Sequence, residues 1–347
     1  MSKILTIIIP TYNMEKYLRK CLDSLLVSDE NMQQLEVLVV NDGSKDSSSS
    51  IGHEYEAKYP QTFRVIDKEN GNYGSCINRG LKEATGKYVK VLDADDYSVP
   101  KNLNDYLSFL LKVDADVIIT DFDIVDINGK VTDKREFHWL FGQGESIILF
   151  SQLLKEKRDV AFQMHALTYK LSILREMNYK QTEGISYTDI EWATIPMTRV
   201  KTICYYPRSI YNYLIGREGQ TMANYFEVTN HKQLFKVVEK LSKFYMSQSY
   251  EAVYNQYVEN KLKKALAGIY ESGLKFCSLS IEELKYYDEL LKCYPQVYEL
   301  ANSLKLLRGH IEYVRHWRSG NPIRVLLLIK MPVVIKNSIK KWIISLH

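Results

Sequence analysis

Three carboxylates fall within four positions at Asp93-Ala94-Asp95-Asp96, directly after the β-rich run Lys87-Tyr88-Val89-Lys90-Val91-Leu92. Unpaired carboxylates are expensive to bury. A strand that ends this way is expected to open onto water, a metal or a ligand. Spaced two apart at a strand end, Asp93 and Asp95 can divide their work between a ribose and a divalent cation. The competing reading is local. Asp95 or Asp96 caps the following helix, with Ser98 and Pro100 as further start signals.

Other residues suit the same chemistry. Asp42 in Asn41-Asp42-Gly43-Ser44 is either part of a turn, for which the composition is ideal, or an acceptor for a base N–H or ribose hydroxyl. Thr11, Tyr12 and Glu15 follow the first apolar run, and Tyr12 offers stacking area. Asn70-Gly71 opens a Gly-rich turn before a helix, a place where backbone N–H groups can meet phosphate. A transfer to a hydroxyl also needs a general base. Asp189 stands at a loop-to-helix start, where the helix N-terminus favours its ionised form. Thr188 and Glu191 are candidate partners or substitutes for it, Glu191 on the acceptor side. His165, between Met164 and Ala166, either lines the acceptor side or is a satisfied core residue.

The elements that must position these residues are legible. Ile4 to Ile9, Glu36 to Val40, Phe63 to Ile66 and Tyr88 to Leu92 are short apolar runs, expected as strands of a buried parallel sheet. Tyr17, Leu18, Cys21, Leu22, Leu25 and Leu26 recur at helical spacing. A second helix is expected from about Ser48 to Lys58. The pattern β-α-β-α-β is a doubly wound α/β plan. Right-handed crossovers place the turns at Thr11, Asp42 and Asp93 along one sheet edge, where such sheets bind ligands. Thr202 to Tyr206 and Ile210 to Leu214 read as a closing pair of strands. From Phe226 the pattern is helical only.

Bulk properties fit a soluble chain of more than one part. The 347 residues are 46% apolar and 25% charged. The net charge of +4 is uneven: from Ala301 onward nine Lys or Arg face one acid, so that segment is +8 and the remainder −4. The last stretch, 323–347, puts Ile335, Ile339, Trp342, Ile343 and Leu346 on one helical face. A basic amphipathic helix of this kind suits an anionic membrane surface, or else packs on the body or across a homodimer. Nucleic acid is disfavoured, because no reading motif accompanies the charge. Five scattered cysteines without metal spacing suit reduced thiols of a cytoplasmic protein. Met1-Ser2-Lys3 runs straight into a strand, so no leader is expected. No apolar run reaches the ~20 residues of a membrane span.

Several segments in this order resemble the family-2 glycosyltransferases. They are Thr6-Ile7-Ile8-Ile9-Pro10-Thr11-Tyr12-Asn13, Glu36 through Asp46, Asn70-Gly71 through Asn78-Arg79-Gly80, and Asp93-Ala94-Asp95-Asp96. The resemblance implies a GT-A fold, a Rossmann-like mixed sheet flanked by helices, over residues 1–225. Its nucleotide-sugar half is 1–97 and its acceptor half 98–225. An all-helical region, 226–322, and the basic segment 323–347 follow.

The resemblance further implies an inverting transfer of a single sugar from a nucleotide-diphosphate sugar, UDP being the commonest carrier. It implies Mn²⁺ or Mg²⁺ at Asp95, with Asp93 on the ribose. Pro10, Thr11, Tyr12, Glu15, Asp42, Asn70, Gly71, Arg79 and Ala94 fall where the family holds the donor, Arg79 near a phosphate. Asp189 matches the family's base, although Thr188 replaces the usual glutamate before it. Arg217 in Arg217-Glu218-Gly219-Gln220-Thr221 resembles a diphosphate clamp. No Gln-X-X-Arg-Trp motif of processive synthases is present. The expected acceptor is a lipid-linked saccharide of surface polysaccharide synthesis, at the inner face of the cell membrane. The alternatives are a protein or teichoic-type acceptor, or a non-catalytic nucleotide-sugar-binding or membrane-adaptor partner.

Overall fold

The computed structural model describes residues 3–142, 144–157, 160–217, 228–276, 278–306 and 311–320. The chain divides into two compact units, Met1–Ala223 and Asn224–His347.

The first unit is built on a mixed sheet. Its N-terminal half contains β1 (Leu5–Thr11), α1 (Glu15–Asp23), α2 (Asp29–Gln34), β2 (Leu35–Asn41), α3 (Ser48–Lys58), β3 (Phe63–Asp67), α4 (Asn72–Glu83) and β4 (Tyr88–Val91). β1, β2 and β4 are buried along their whole length, as their unbroken apolar runs require. β1 pairs in parallel with β2, from Leu5 opposite Leu35 to Thr11 opposite Asn41, and on its other side with β4. β2 pairs in parallel with β3.

Strand order is β3-β2-β1-β4, so the winding reverses between β1 and β4. In an open α/β sheet this is where a ligand crevice forms, outside the carboxyl ends of the strands. Thr11 and Asp93 leave the sheet at that place. Gly80 lets α4 lie close on β1, since a Cβ there would meet the Ile8 side chain at 2.6 Å.

The second half of the unit contains β5 (Tyr97–Ser98), α5 (Pro100–Leu110), β6 (Val117–Val125), β7 (Val131–Arg135), α6 (His138–Phe141), β8 (Ile147–Leu149) and α7 (Phe150–Glu156). It ends with β9 (Leu167–Lys170), α8 (Leu171–Glu176), α9 (Asp189–Trp192) and β10 (Thr202–Leu214). The sheet continues from β4 through β9, β6 and β10 to β5, with β7 on β6 and β8 on β10. β9 runs antiparallel to both β4 and β6, which makes the sheet mixed. The expected closing pair of strands is one strand, β10. Its register with β6 slips between Tyr206 and Ser209. Pro207 has no N–H for the ladder, so the chain bulges there and resumes.

The second unit contains α10 (Val228–Met246), α11 (Asn255–Glu271), α12 (Ile281–Leu291), α13 (Pro295–Asn302), β11 (Lys305–Leu306), β12 (Ile311–Glu312) and α14 (Tyr313–Arg318). Val258, Leu262, Ala265, Leu266 and Ile269 share the buried face of α11. Ser280 and Glu283 form a reciprocal cap at the start of α12. The region is not all helical, because β11 and β12 pair antiparallel and place Ile311 in a strand. Segment 323–347, Gly219-Gln220-Thr221 and the boundary expected near Tyr225 lie outside the described residues. No helix among the described residues is long and apolar enough to cross a membrane.

Candidate active site

A cleft of about 290 Å³ opens at the carboxyl edge of β1 and β4. Asp93, Ala94 and Asp95 line it. A tight turn directs them, closed by the Asp96 N–H donating to the Asp93 carbonyl at 3.0 Å. Asp93 Oδ1 accepts from the Tyr73 hydroxyl at 2.7 Å. Burial, and next the negative charge of Asp95, push the Asp93 carboxyl up to about 7.

Asp96 has a different role from the expected helix cap. It is 1% exposed and turned inward. Its carboxylate accepts from the Tyr211 hydroxyl and, at 2.8 Å, from the Leu214 N–H, so it ties the turn to β10. Burial and the two neighbouring aspartates hold its carboxyl well above the usual range. α5 begins instead with Pro100 in its first turn and no side-chain cap.

Asp42 also lines the cleft, at the end of β2. Its Oδ1 accepts from the Lys68 ammonium and from the Gly71 N–H at 2.9 Å, and its carbonyl accepts from Asn70 Nδ2 at 3.0 Å. Asn70 and Gly71 thus act on the cleft by holding Asp42. Pro10, Thr11 and Tyr12 complete this side, with the Tyr12 ring 47% exposed at its mouth.

Asp189 reaches the same cleft from the other half of the unit, as the first residue of α9. Its path depends on Gly74. A Cβ at that position would stand 2.0 Å from the Thr182 carbonyl oxygen, so only glycine lets the 181–188 loop lie on α4. The Gly184 N–H donates to the Gly71 carbonyl at 2.9 Å, tying the loop to the start of α4. Asn72 and Tyr187 line the cleft with φ of 65° and 66°. The left-handed region is costly for a tyrosine, and such strain gathers at functional sites.

The structure does not bring every expected residue into the cleft. The Glu15 carboxylate accepts the Ser47 N–H at 3.0 Å and braces the loop before α3. Arg79 lies farther along α4, outside the cleft, paired with Glu83 at 3.1 Å one helical turn away. It lines a separate groove. Glu191 is fully buried, and its Oε2 accepts the Thr182 N–H at 2.9 Å, so it anchors the loop that carries Asp189.

His165 is in the cleft, but beside the aspartates. One of its ring nitrogens and the carboxylates of Asp93 and Asp96 lie within 4.8 Å of one another. Burial, and next the Lys90 ammonium, lower its pKa to about 3, so the ring is neutral. Its Nδ1 is buried with no hydrogen-bond partner among the described residues. A neutral imidazole with an unsatisfied nitrogen next to crowded carboxylates is a donor set suited to a divalent cation. Asp95, on which the sequence places the metal, carries an ion pair from Arg217 in this structure.

Sequence reasoning missed Lys68, Tyr73, Lys90 and the bond of Tyr211 to Asp96. For Lys90 a signal existed: one charge inside an otherwise apolar strand. The others depend on contacts distant in sequence.

Comparison with known proteins bears on the family and the fold. The family model for glycosyl transferase family 2 matches residues 6–176. An uncharacterized glycosyltransferase of Mycoplasma genitalium, MG025, is 31% identical over 231 residues, 65% of this chain and 73% of that protein. The chain belongs to glycosyl transferase family 2. Its GT-A-like fold is shared with S. aureus TarS 1–349 in complex with UDP-GlcNAc, at a TM-score of 0.69 and 19% identity over 94% of this chain and 90% of that one. A mannosyltransferase from Pyrobaculum calidifontis, in complex with GDP-Man and Mn²⁺, has a TM-score of 0.53 at 15% identity, covering 95% of this chain and 87% of that one.

Proposed function

We propose that the protein transfers a single sugar, with inversion, from a nucleotide-diphosphate sugar to a hydroxyl of a lipid-linked saccharide in surface polysaccharide synthesis. The observation that carries this reading is the convergence of Asp42, Asp93, Asp95 and Asp189 on one cleft at the reversal of the sheet. The TarS complex with UDP-GlcNAc supports a UDP-linked donor. The complex of the Pyrobaculum enzyme with GDP-Man and Mn²⁺ supports a divalent ion. The working place is the inner face of the cell membrane, with 323–347 as the contact to anionic lipid.

On this reading Asp42 and Asp93 orient the nucleoside, and Tyr12 covers it. Asp95, with Asp93, Asp96 and His165 around it, would hold Mn²⁺ or Mg²⁺. The bound ion supplies Lewis-acid stabilisation of the leaving diphosphate. Arg217 adds a second positive charge and exchanges Asp95 for the diphosphate as the donor arrives. Asp189 accepts the proton of the acceptor hydroxyl. The hydroxyl oxygen forms its bond to the anomeric carbon as the carbon–diphosphate bond breaks on the opposite face, and the nucleoside diphosphate leaves as an anion.

A thermal-shift panel of nucleotide sugars with Mn²⁺ tests the donor half. A ligand that binds the native state raises its melting temperature. A UDP-sugar should give the largest rise, reduced by EDTA. No response to any nucleotide sugar rejects the reading.

A further inference from the structure

β4 carries one charge, Lys90, which is 3% exposed and lies in register opposite Ile7 on β1. Its ammonium donates to the His165 carbonyl at 2.6 Å and to the Leu167 carbonyl at 3.4 Å. It also lies 5.6 Å from the centroid of the Tyr211 ring. Among the described residues no carboxylate hydrogen-bonds to it. Burial lowers its pKa to about 7, and an apolar chain of the same length would pack there at less expense.

These contacts lead into the site. The His165 carbonyl belongs to the 3₁₀ turn Met164–Ala166, which carries the imidazole to within 4.8 Å of the Asp93 and Asp96 carboxylates. The Tyr211 ring meets the His165 ring edge-on at 5.0 Å. Its hydroxyl donates to Asp96 and accepts the Asp93 N–H at 3.3 Å. One ammonium therefore braces both the turn that carries the imidazole and the tyrosine that bonds the carboxylate turn.

We propose that Lys90 is a positioning residue: its buried ammonium fixes the turn that carries His165, and so sets the imidazole against Asp93 and Asp96 where the donor's divalent ion is held. This rests on the metal-assisted transfer proposed above. Residues that orient a ligand from behind contribute to metal affinity without touching the metal.

The test uses the full chain and the variants K90M, K90R, H165A and K90M/H165A. In metal-free protein, K90M should shift or broaden the His165 ring-proton resonance, assigned by its loss in H165A, and K90R should restore it. Mn²⁺ affinity, read by electron paramagnetic resonance titration, should fall about 10- to 100-fold in K90M and in H165A. K90M/H165A should bind no more weakly than H165A alone. A folded K90M with an unmoved His165 resonance and unchanged affinity overturns the proposal. So does an equal further loss when K90M is added to H165A. If K90M does not fold, unchanged Mn²⁺ affinity in H165A still overturns it. A wild-type protein that binds no Mn²⁺ rejects the metal reading, while the metal-free resonance still decides whether Lys90 positions His165.

Discussion

Asp93 is under two opposing demands. It must be buried enough to meet a ligand in a dry cleft, yet burial and the nearby Asp95 raise its carboxyl to about 7. The Tyr73 hydroxyl offsets part of that cost. A cation placed among these groups would relieve both the burial and the repulsion. Away from the site, His53 gives a cleaner test of titration. Its imidazole bridges Asp67 at 2.8 Å and Glu56 at 2.7 Å, and both raise its pKa. A pKa raised by folding gives stability that is fully present below the unfolded value of about 6.5. That stability is lost as pH rises through the folded value. His53→Gln should therefore lower stability near about pH 5.5 and leave it unchanged near about pH 9. The ring is about half exposed, so screening limits the effect to roughly 0.5 kcal/mol. Urea melts at the two pH values check it; an equal loss at both would contradict it. At this scale the sequence named Asp42, Asp93, Asp95, Asp189 and His165 as site residues, and all five line the cleft. The cap reading of Asp96 fails because its partners, Tyr211 and Leu214, stand more than a hundred positions away, where no local pattern points to them.

At the scale of elements, α4 and the 181–188 loop set where Asp189 stands relative to the other cleft aspartates. Gly74 is the point of closest approach. Gly74→Ala must push the Thr182 backbone away, at a cost of about 1–3 kcal/mol. It should also move Asp189, and a displacement near 1 Å at a reacting group costs about 10²-fold in rate. Turnover should therefore fall more than stability explains; a variant of normal activity would show that the loop is not set by this contact. In the second unit, Arg318 donates to Asp288 at 2.6 Å and lies 3.5 Å from the centroid of the Tyr298 ring, while the Tyr270 hydroxyl also bonds Asp288. The ion pair is about nine-tenths buried. Removing one partner leaves a buried charge, so Arg318→Ala should cost about 3–5 kcal/mol, read as lost cooperative unfolding of that unit. Strands β1, β2 and β4 were legible because strands buried on both faces must be apolar throughout. β10 was not: Pro207 reads as a break, but the parallel ladder with β6 spans it.

For the whole molecule, the sheet's reversal between β1 and β4 turns scattered acids into one site. The proposed nucleotide side comes from the first four strands, and the proposed base, Asp189, from the start of a helix far along the chain. That division is why the motifs around Asp42 and Asp93 were legible in sequence, whereas the approach of Asp189 needed Gly74, Gly184 and Glu191 in place. The central claim is that Asp189 is the base of a transfer reaction whose donor is held by the other aspartates. Single-turnover cleavage of a UDP-sugar by wild type and Asp189→Asn, with donor affinity measured alongside, tests it most directly. The prediction is unchanged donor affinity and a rate reduced about 10²- to 10⁴-fold. Near-normal turnover by Asp189→Asn would contradict it.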